Sequence, residues 1–465
     1  MQSLCLRRSG RIGLAAIVGA ALAATATAQD DLDDILGGFE DEDPGFEVQA
    51  PTDGDTTEPP TWWDLSGSFE LSGSVNYLRH DSATGTNYVG LQRLRSRLNL
   101  QLDLDLAEDW QARIESWGFY DSAYAINGRR HYTGAVLSDY ELDAEIGEAW
   151  IHGKLHDALD VKLGRQIVIW GRSESLRVLD VLNPLDNREP GRVDIEDIRR
   201  PLGMLRVDAY RWLWDGEWNL SAIAIPEIRF SRNPVVGSDF SPLLMSLPKD
   251  EPKDFKDTEA AAALTAIFSG WDFSLHGAWF WNDTPRFHFD PTKPDPSRLV
   301  YDRLWMVGAG GNYTKGSWLF KGEIAYLDGF GFDGSDDKAR VDVLIGFEYY
   351  GLTNVTISVE GTNRHLFDYE DALLGSPYFV RQDSQEIALR YTQSFFNEKL
   401  AVTGLVVLVG WNGGDGSIVR LSADYELRDA LGIGAGIVLY QKGDLPPLNS
   451  WGRNDRLIFN LKWSF

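Results

Sequence analysis

Residues 91–106 read LQRLRSRLNLQLDLDL. From Arg93 onward the period is two. Leu94, Ser96, Leu98, Leu100, Leu102, Leu104 and Leu106 fall on one face, and Arg93, Arg95, Arg97, Asn99, Gln101, Asp103 and Asp105 on the other. Alternation held over 14 residues specifies an extended strand with one face in an apolar medium and the other in water. Strands of soluble sandwiches run about 5 or 6 residues. A strand that crosses a bilayer needs about 9 to 11. Length therefore points to a membrane strand.

Composition agrees by exclusion. The chain has 465 residues, a net charge of −26 and a single cysteine, Cys5. That charge excludes nucleic-acid binding through a broad basic surface. One cysteine excludes a disulfide scaffold and a cysteine zinc site. Mean hydropathy is −0.26, and no apolar run is long enough for a membrane helix. Barrels escape that exclusion, because their strands are half polar.

The N-terminal region reads differently. Arg7, Arg8 and Arg11 precede the apolar run Ile12–Ala24, which ends in Ala26-Thr27-Ala28. This is the pattern of a secretory signal peptide over residues 1–28. Residues 29–60 carry 12 Asp or Glu and no Lys or Arg, as expected for a disordered acidic periplasmic tail. Within it Leu32, Ile35, Leu36 and Phe39 keep helical spacing, so folding onto a periplasmic export partner, or into the barrel mouth, is an open expectation.

From residue 61 to residue 465, eight short turns, among them Ala107–Asp109, His156-Asp157 and Gly351, alternate with nine longer polar segments. Short periplasmic turns and longer outer loops are the outer-membrane pattern. The expected fold is thus all-β: one transmembrane antiparallel up-and-down barrel of about 18 strands, or 16 if a doubtful hairpin merges. Trp110, Trp218, Trp271 and Trp318 each follow a short turn, as an interfacial aromatic belt requires. In the last strand Leu457, Phe459, Leu461, Trp463 and Phe465 share a face, and a terminal Phe at the end of such a strand resembles the assembly signal read by the barrel-insertion machinery. The pattern slips on the fourth and fifth strands. Bulges near Gly147 and Gly164 are expected there, and the direction of Arg165 stays open.

Candidate functional residues face the lumen. Arg93, Arg95 and Arg97 form a basic ladder, and Glu141, Asp143 and Glu145 on the fourth strand are expected to oppose it across the pore. Internal ion pairing of the wall is the competing reading. The longest outer connection, 171–202, carries Arg172, Arg177, Arg188, Arg192, Arg199 and Arg200 with a nearly equal number of acids. Arginine without lysine favours fixed bidentate pairing. Ser173 can cap a short helix presenting Leu176, Leu179 and Leu182. These features predict a loop folded into the lumen as a constriction. The seven histidines form no catalytic grouping, so no enzyme and no cofactor is expected. Asp333, Asp336 and Asp337 could bind calcium, but a plain acidic loop is the preferred reading.

The stretch Leu163–Gly191, LGRQIVIWGRSESLRVLDVLNPLDNREPG, resembles a family of uncharacterised outer-membrane barrels with a GRQ-x-x-x-WG-x-S pattern followed by V-x-N-P. The matching positions are Gly164, Arg165, Gln166, Trp170, Gly171, Ser173, Val181, Asn183 and Pro184. Ile225–Leu243 has a similar flavour, and Arg172 stands where an acid is more usual. The resemblance implies a barrel that accompanies exporters of envelope lipid or hydrophobic compounds. Alginate-export porins share a comparable GRQ strand, which keeps a polysaccharide in view. The expected function is a porin-like channel or export barrel in the bacterial outer membrane, passing a polar or amphipathic solute. The alternative is a non-conducting barrel partner of a periplasmic lipid-export system.

Overall fold

The computed structural model describes residues 62–192, 198–253 and 255–465. The expected signal peptide and acidic tail lie outside them. Eighteen strands form the wall: β1 (Trp63–Asn76), β2 (Gly90–Ala107), β3 (Trp110–Asp121), β4 (Leu142–His156), β5 (Leu159–Gln166) and β6 (Leu202–Leu213). Next come β7 (Gly216–Ile225), β8 (Glu259–Phe268), β9 (Trp271–Trp281), β10 (Arg303–Lys315), β11 (Trp318–Phe330) and β12 (Lys338–Leu352). The last six are β13 (Val355–Leu366), β14 (Asp383–Phe395), β15 (Leu400–Val409), β16 (Gly416–Arg428), β17 (Leu431–Gln441) and β18 (Arg456–Ser464). Each pairs antiparallel with its sequence neighbours, and β18 closes on β1 from Ser68↔Ser464 to Asn76↔Arg456. Closure removes both sheet edges, which is what lets a sheet stand in lipid.

Alternation sorts the faces as expected. On β2, Leu98 and Leu100 are 43% and 36% exposed outward, whereas Arg93 and Arg95 are each 6% exposed inside. The eight short turns fall where expected except one. The turn placed at Gly351 lies at Thr353-Asn354, because β12 continues to Leu352 and Asn354 takes the positive φ that closes the hairpin. Trp110, Trp271 and Trp318 open β3, β9 and β11. The register shifts between Ile114↔Ala149 and Ser116↔Ile146, placing the expected bulge at Gly147. None occurs at Gly164: Ala149↔Arg165, Trp150↔Gly164 and Ile151↔Leu163 follow without a break. Gly164 instead has φ 128°, and a Cβ there would lie 2.2 Å from the Ala149 carbonyl oxygen. The slip is thus absorbed by close approach of two strands and not by an extra residue.

Above the wall, Lys249–Asp250, Arg286–Phe289 and Ser297–Val300 form a small three-stranded sheet. Asp333 accepts from the Arg286 guanidinium at 3.0 Å and from the Phe289 N–H at 2.7 Å, and pairs with His288, so protein groups occupy that carboxylate. The main apolar core lies inside the barrel. Met204, Ile223, Ala261, Leu304, Met306, Leu327 and Leu344 of the wall pack against Val168, Trp170, Leu176, Leu179 and Leu182 of the connection between β5 and β6.

Candidate functional site

The site begins where β5 stops. Asn183, fully buried, takes over the ladder beyond Gln166: its Oδ1 accepts from the Val168 N–H at 2.8 Å, and its Nδ2 donates to the Gln166 and Arg200 carbonyls at 3.3 and 3.0 Å. One amide thus joins the two ends of the loop. On the other edge the Glu148 carboxylate accepts from the Ile167 N–H at 2.8 Å. Arg165 keeps the parity of lipid-facing Leu163 and is held by Glu227, Nε to Oε2, at 3.0 Å. Trp170 turns inward against His276, ring centres 4.6 Å apart.

From there the chain crosses the lumen to the far wall, where two buried carboxylates receive it. Glu323 of β11 accepts from the N–H groups of Arg172, Ser173 and Leu179. Glu360 of β13 accepts from the Ser173 hydroxyl and from the N–H groups of Glu174 and Ser175, at 2.5 to 3.0 Å. Each carboxylate is met by three donors, and charge-assisted bonds of this kind are worth about 1.5–3 kcal/mol apiece. Arg172 adds an ion pair to Asp272 of β9 at 2.8 Å. Ser173 does accept from the Leu176 N–H at 2.9 Å, but no helix follows. The expected short helix is replaced by successive bends: the Leu179 N–H, which in a helix would bond the Ser175 carbonyl, goes to Glu323 instead. Leu176, Leu179 and Leu182 are nonetheless 5%, 0% and 3% exposed, so the burial expected of them holds.

The chain then returns. Asp180 binds Arg177 and Arg199 at 3.1 and 3.0 Å. Arg188 pairs with Asp186 at 2.6 Å and with Asp143 at 3.3 Å, and Glu189 meets Arg93 and, at 3.8 Å, Arg95 of the basic ladder. Burial alone would raise the Glu189 carboxyl, but Arg93 and Arg95 outweigh it and hold it down at about 2. The Tyr440 hydroxyl of β17 donates to the Pro190 carbonyl at 2.7 Å.

Between the returning chain and the wall of β1–β4 and β16–β18 lies a cavity of about 550 Å³. Among the described residues, Arg93, Arg95 and Arg97 line one side, Arg188, Arg192, Arg199 and Arg200 the other, with Arg420 and Lys462 completing nine cations against Glu70, Glu145, Asp186, Glu189 and Asp424. The Trp117 and Phe119 rings stack at 5.8 Å, each beneath a guanidinium: Arg97 lies 4.6 Å from the first and Arg95 3.8 Å from the second. Of the sequence candidates, Arg93, Arg95, Arg97, Glu145, Arg192, Arg199 and Arg200 come together here. Arg172 and Arg177 do not. They pair on the far side of the loop, where Arg177 also donates to the Asn183 carbonyl.

The expected opposition of basic and acidic strips is corrected. Only β3 separates β2 from β4, so the two strips share one stretch of wall and do not face across the pore. Glu141 precedes β4 and pairs with Arg129 at 3.0 Å. Asp143 and Glu145 are engaged by loop arginines, among them Arg232 at 2.6 and 3.1 Å and Arg200 at 3.3 Å. The wall carboxylates Glu323 and Glu360 and the ring pair under the arginines were missed. Glu360 is the one acid of its strand and Glu323 shares its strand only with Asp328, of opposite parity, so inward parity alone marks them. Phe459, Leu461, Trp463 and Phe465 all face outward.

A closed 18-strand antiparallel barrel with a loop folded into its lumen is the construction of a porin-like β-barrel. The chain belongs to the family described as a protein of unknown function, DUF1302, which it matches over residues 10–465. No curated protein matches the sequence. Among solved structures it is similar to OccAB2 of Acinetobacter baumannii, at 10% identity and a TM-score of 0.51 over 87% of this chain and 98% of that one. It is also similar to OccK9 (OpdG) of Pseudomonas aeruginosa, at 11% identity and a TM-score of 0.50 over 87% and 98%. These likenesses concern the fold.

Proposed function

We propose that the protein is an anion-preferring channel of the bacterial outer membrane, narrowed by the connection between β5 and β6. One observation carries this reading: among the described residues the lumen cavity is lined by nine cations against five carboxylates, in a chain whose net charge is −26. A positive passage in so acidic a protein concentrates anions locally and disfavours cations. The Trp117–Phe119 pair offers an apolar face beside the guanidinium groups, which suits a solute carrying both an anionic group and an apolar part.

In this reading Arg93, Arg95, Arg97, Arg192, Arg199 and Arg200 contact the solute, Glu145 tunes the passage, and Arg172 and Arg177 position the loop. Phe459, Leu461, Trp463 and Phe465 serve assembly, so removing Phe465 should slow insertion without altering the channel. The reversal potential of purified barrel in a bilayer under a potassium chloride gradient tests the function. Anion preference is expected. Cation preference, or no conductance at all, would overturn it, the latter in favour of a non-conducting partner of a periplasmic lipid-export system.

A further inference from the structure

The barrel wall is not a complete ladder. β4 runs on to Leu142, but β5 stops pairing with it at Ala149↔Arg165. Pairing of β5 with β6 ends at Gln166↔Leu202, and of β6 with β7 at Leu205↔Ala224. The outer half of this sector is closed by the non-strand segments 167–170, 198–201 and 226–232. Backbone bonds through residues 184–187 tie segments 198–200 and 232 to each other, but along the β4 edge side chains do the joining. Besides the Ile167–Glu148 bond, Arg165 donates to the Ile146 carbonyl at 3.2 Å, and Arg200 and Arg229 both pair with Glu145. Arg229 also donates to the Pro201 carbonyl at 3.0 Å, and Arg200 to the Phe230 carbonyl at 2.9 Å.

This interruption lies at membrane height. β4 passes Trp110 at Gly153 and Tyr120 at Leu142. At about 3.3 Å per residue and a tilt near 40°, that climb is roughly 25 Å, the height of a lipid-facing band. The unladdered stretch is its outer part. Around it Leu142, Ile146, Leu163 and Ile169 are 66%, 52%, 58% and 54% exposed. On the inner side, Glu145, Gly147, Arg200 and Pro201 line the arginine cavity. Along the β4 edge, cavity and apolar outer surface are therefore separated by side-chain ties and not by a backbone ladder.

We propose that this sector is a side door, through which an amphiphile with an anionic head and one apolar tail passes between the arginine cavity and the outer leaflet. The proposal rests on the channel reading above for the cavity's role. The ligand's anionic head replaces Glu145 on Arg200 and Arg229, so opening exchanges one ion pair for another and leaves every ladder bond of β4–β8 intact. The tail lies along Ile146 and Ile169 and trails into lipid. A solute without a tail gains nothing from this route and uses the axial passage.

The test uses the barrel in vesicles, with methyl sulfate and dodecyl sulfate as probes sharing one head group. Cysteines at Ile146→Cys and Ile169→Cys are bridged by a short bismaleimide. Bridging should lower dodecyl sulfate transfer at least tenfold and leave methyl sulfate flux unchanged. If dodecyl sulfate transfer is unaffected, or both fluxes fall together, the side door is wrong while the channel reading stands. If methyl sulfate never passes but bridging still stops dodecyl sulfate, the side door stands and the channel reading falls. A second variant works in the opposite direction. Arg165→Met with Glu227→Met removes a tie outside the ladder and should raise dodecyl sulfate transfer several-fold; unchanged or slower transfer overturns the proposal.

Discussion

The two halves of the lumen are built on opposite principles. Toward β6–β12 the connection between β5 and β6 is packed dry: Leu179, Met204, Met306, Ala325 and Leu344 are each at most 1% exposed. Toward β1–β4 and β16–β18 the same connection stands off from the wall and leaves the arginine-lined cavity. The apolar side fixes the loop, since each fully buried Leu, Ile or Met side chain stabilises by about 1.5–3 kcal/mol. The charged side cannot fix it as strongly, because desolvation offsets much of the attraction in a buried ion pair. The difference teaches a division of labour: one half-lumen is a foundation, and the other keeps an open cavity, which in the proposed channel is where the solute passes.

The bluntest way to break this comparison is to remove the loop. Deleting residues 174–198 should raise single-channel conductance several-fold while the barrel still resists proteolysis. Unchanged conductance would mean that the loop does not narrow the passage. Next comes the foundation alone. Glu360→Ala leaves the Ser173 hydroxyl and the N–H groups of Glu174 and Ser175 without their acceptor, at about 1–3 kcal/mol for each group left unsatisfied. The loop should then become protease-sensitive and the conductance noisy. A quiet channel of wild-type conductance would show that the apolar contacts hold the loop unaided.

A sharper contrast comes from charge. Converting Arg93, Arg95 and Arg97 together to Gln should move the reversal potential strongly toward cations. Converting Arg172 and Arg177 to Gln removes two charges from the dry half and should leave it nearly unchanged, although loop stability suffers. Equal shifts from both variants would erase the distinction between the halves.

Much of this architecture was legible in the sequence, and the reasons are local. The 14-residue alternation of β2 fixes the wall, since period two is set by the strand itself. The balanced Arg and Asp or Glu of 171–202 point to the inward fold, because such density serves little purpose in water. The dry half was hidden. β8 reads EAAAALTAIF, apolar on both faces, so parity does not distinguish lumen from lipid. The misplaced acidic strip shows a second limit. Parity assigns Asp143 and Glu145 to the lumen, but their angle around the barrel depends on strand order, and β4 lies only two strands from β2. The helix expected after Ser173 failed for a third reason: its spacing was right, but its hydrogen-bond partners came from strands more than 140 residues away in sequence.

The smallest expected effect is an absence of change with pH, and it follows from Glu189. An ordinary glutamate titrates at about 4.3. Against its burial, Arg93 and Arg95 hold Glu189 at about 2. A carboxyl depressed in the folded state contributes its tie in full above its ordinary value, and the tie weakens only as pH falls toward the depressed one. Asp186, half-buried and bound by Arg188, is lowered in the same direction. Glu189, which joins the loop to the basic ladder, and Asp186, which holds Arg188 within the loop, therefore keep their charge between pH 7 and pH 4. These two carboxyls should therefore contribute no step to single-channel conductance across that range, corrected for the conductivity of the buffer. Glu189→Gln should increase anion preference at pH 7, since one compensating charge leaves a passage lined, among the described residues, by nine cations. A step in wild-type conductance near pH 4.5 that this variant abolishes would place Glu189 in ordinary solvent, out of reach of Arg93. The loop would then not be tied to the basic ladder, and the standing cavity between them would have no fixed wall on that side.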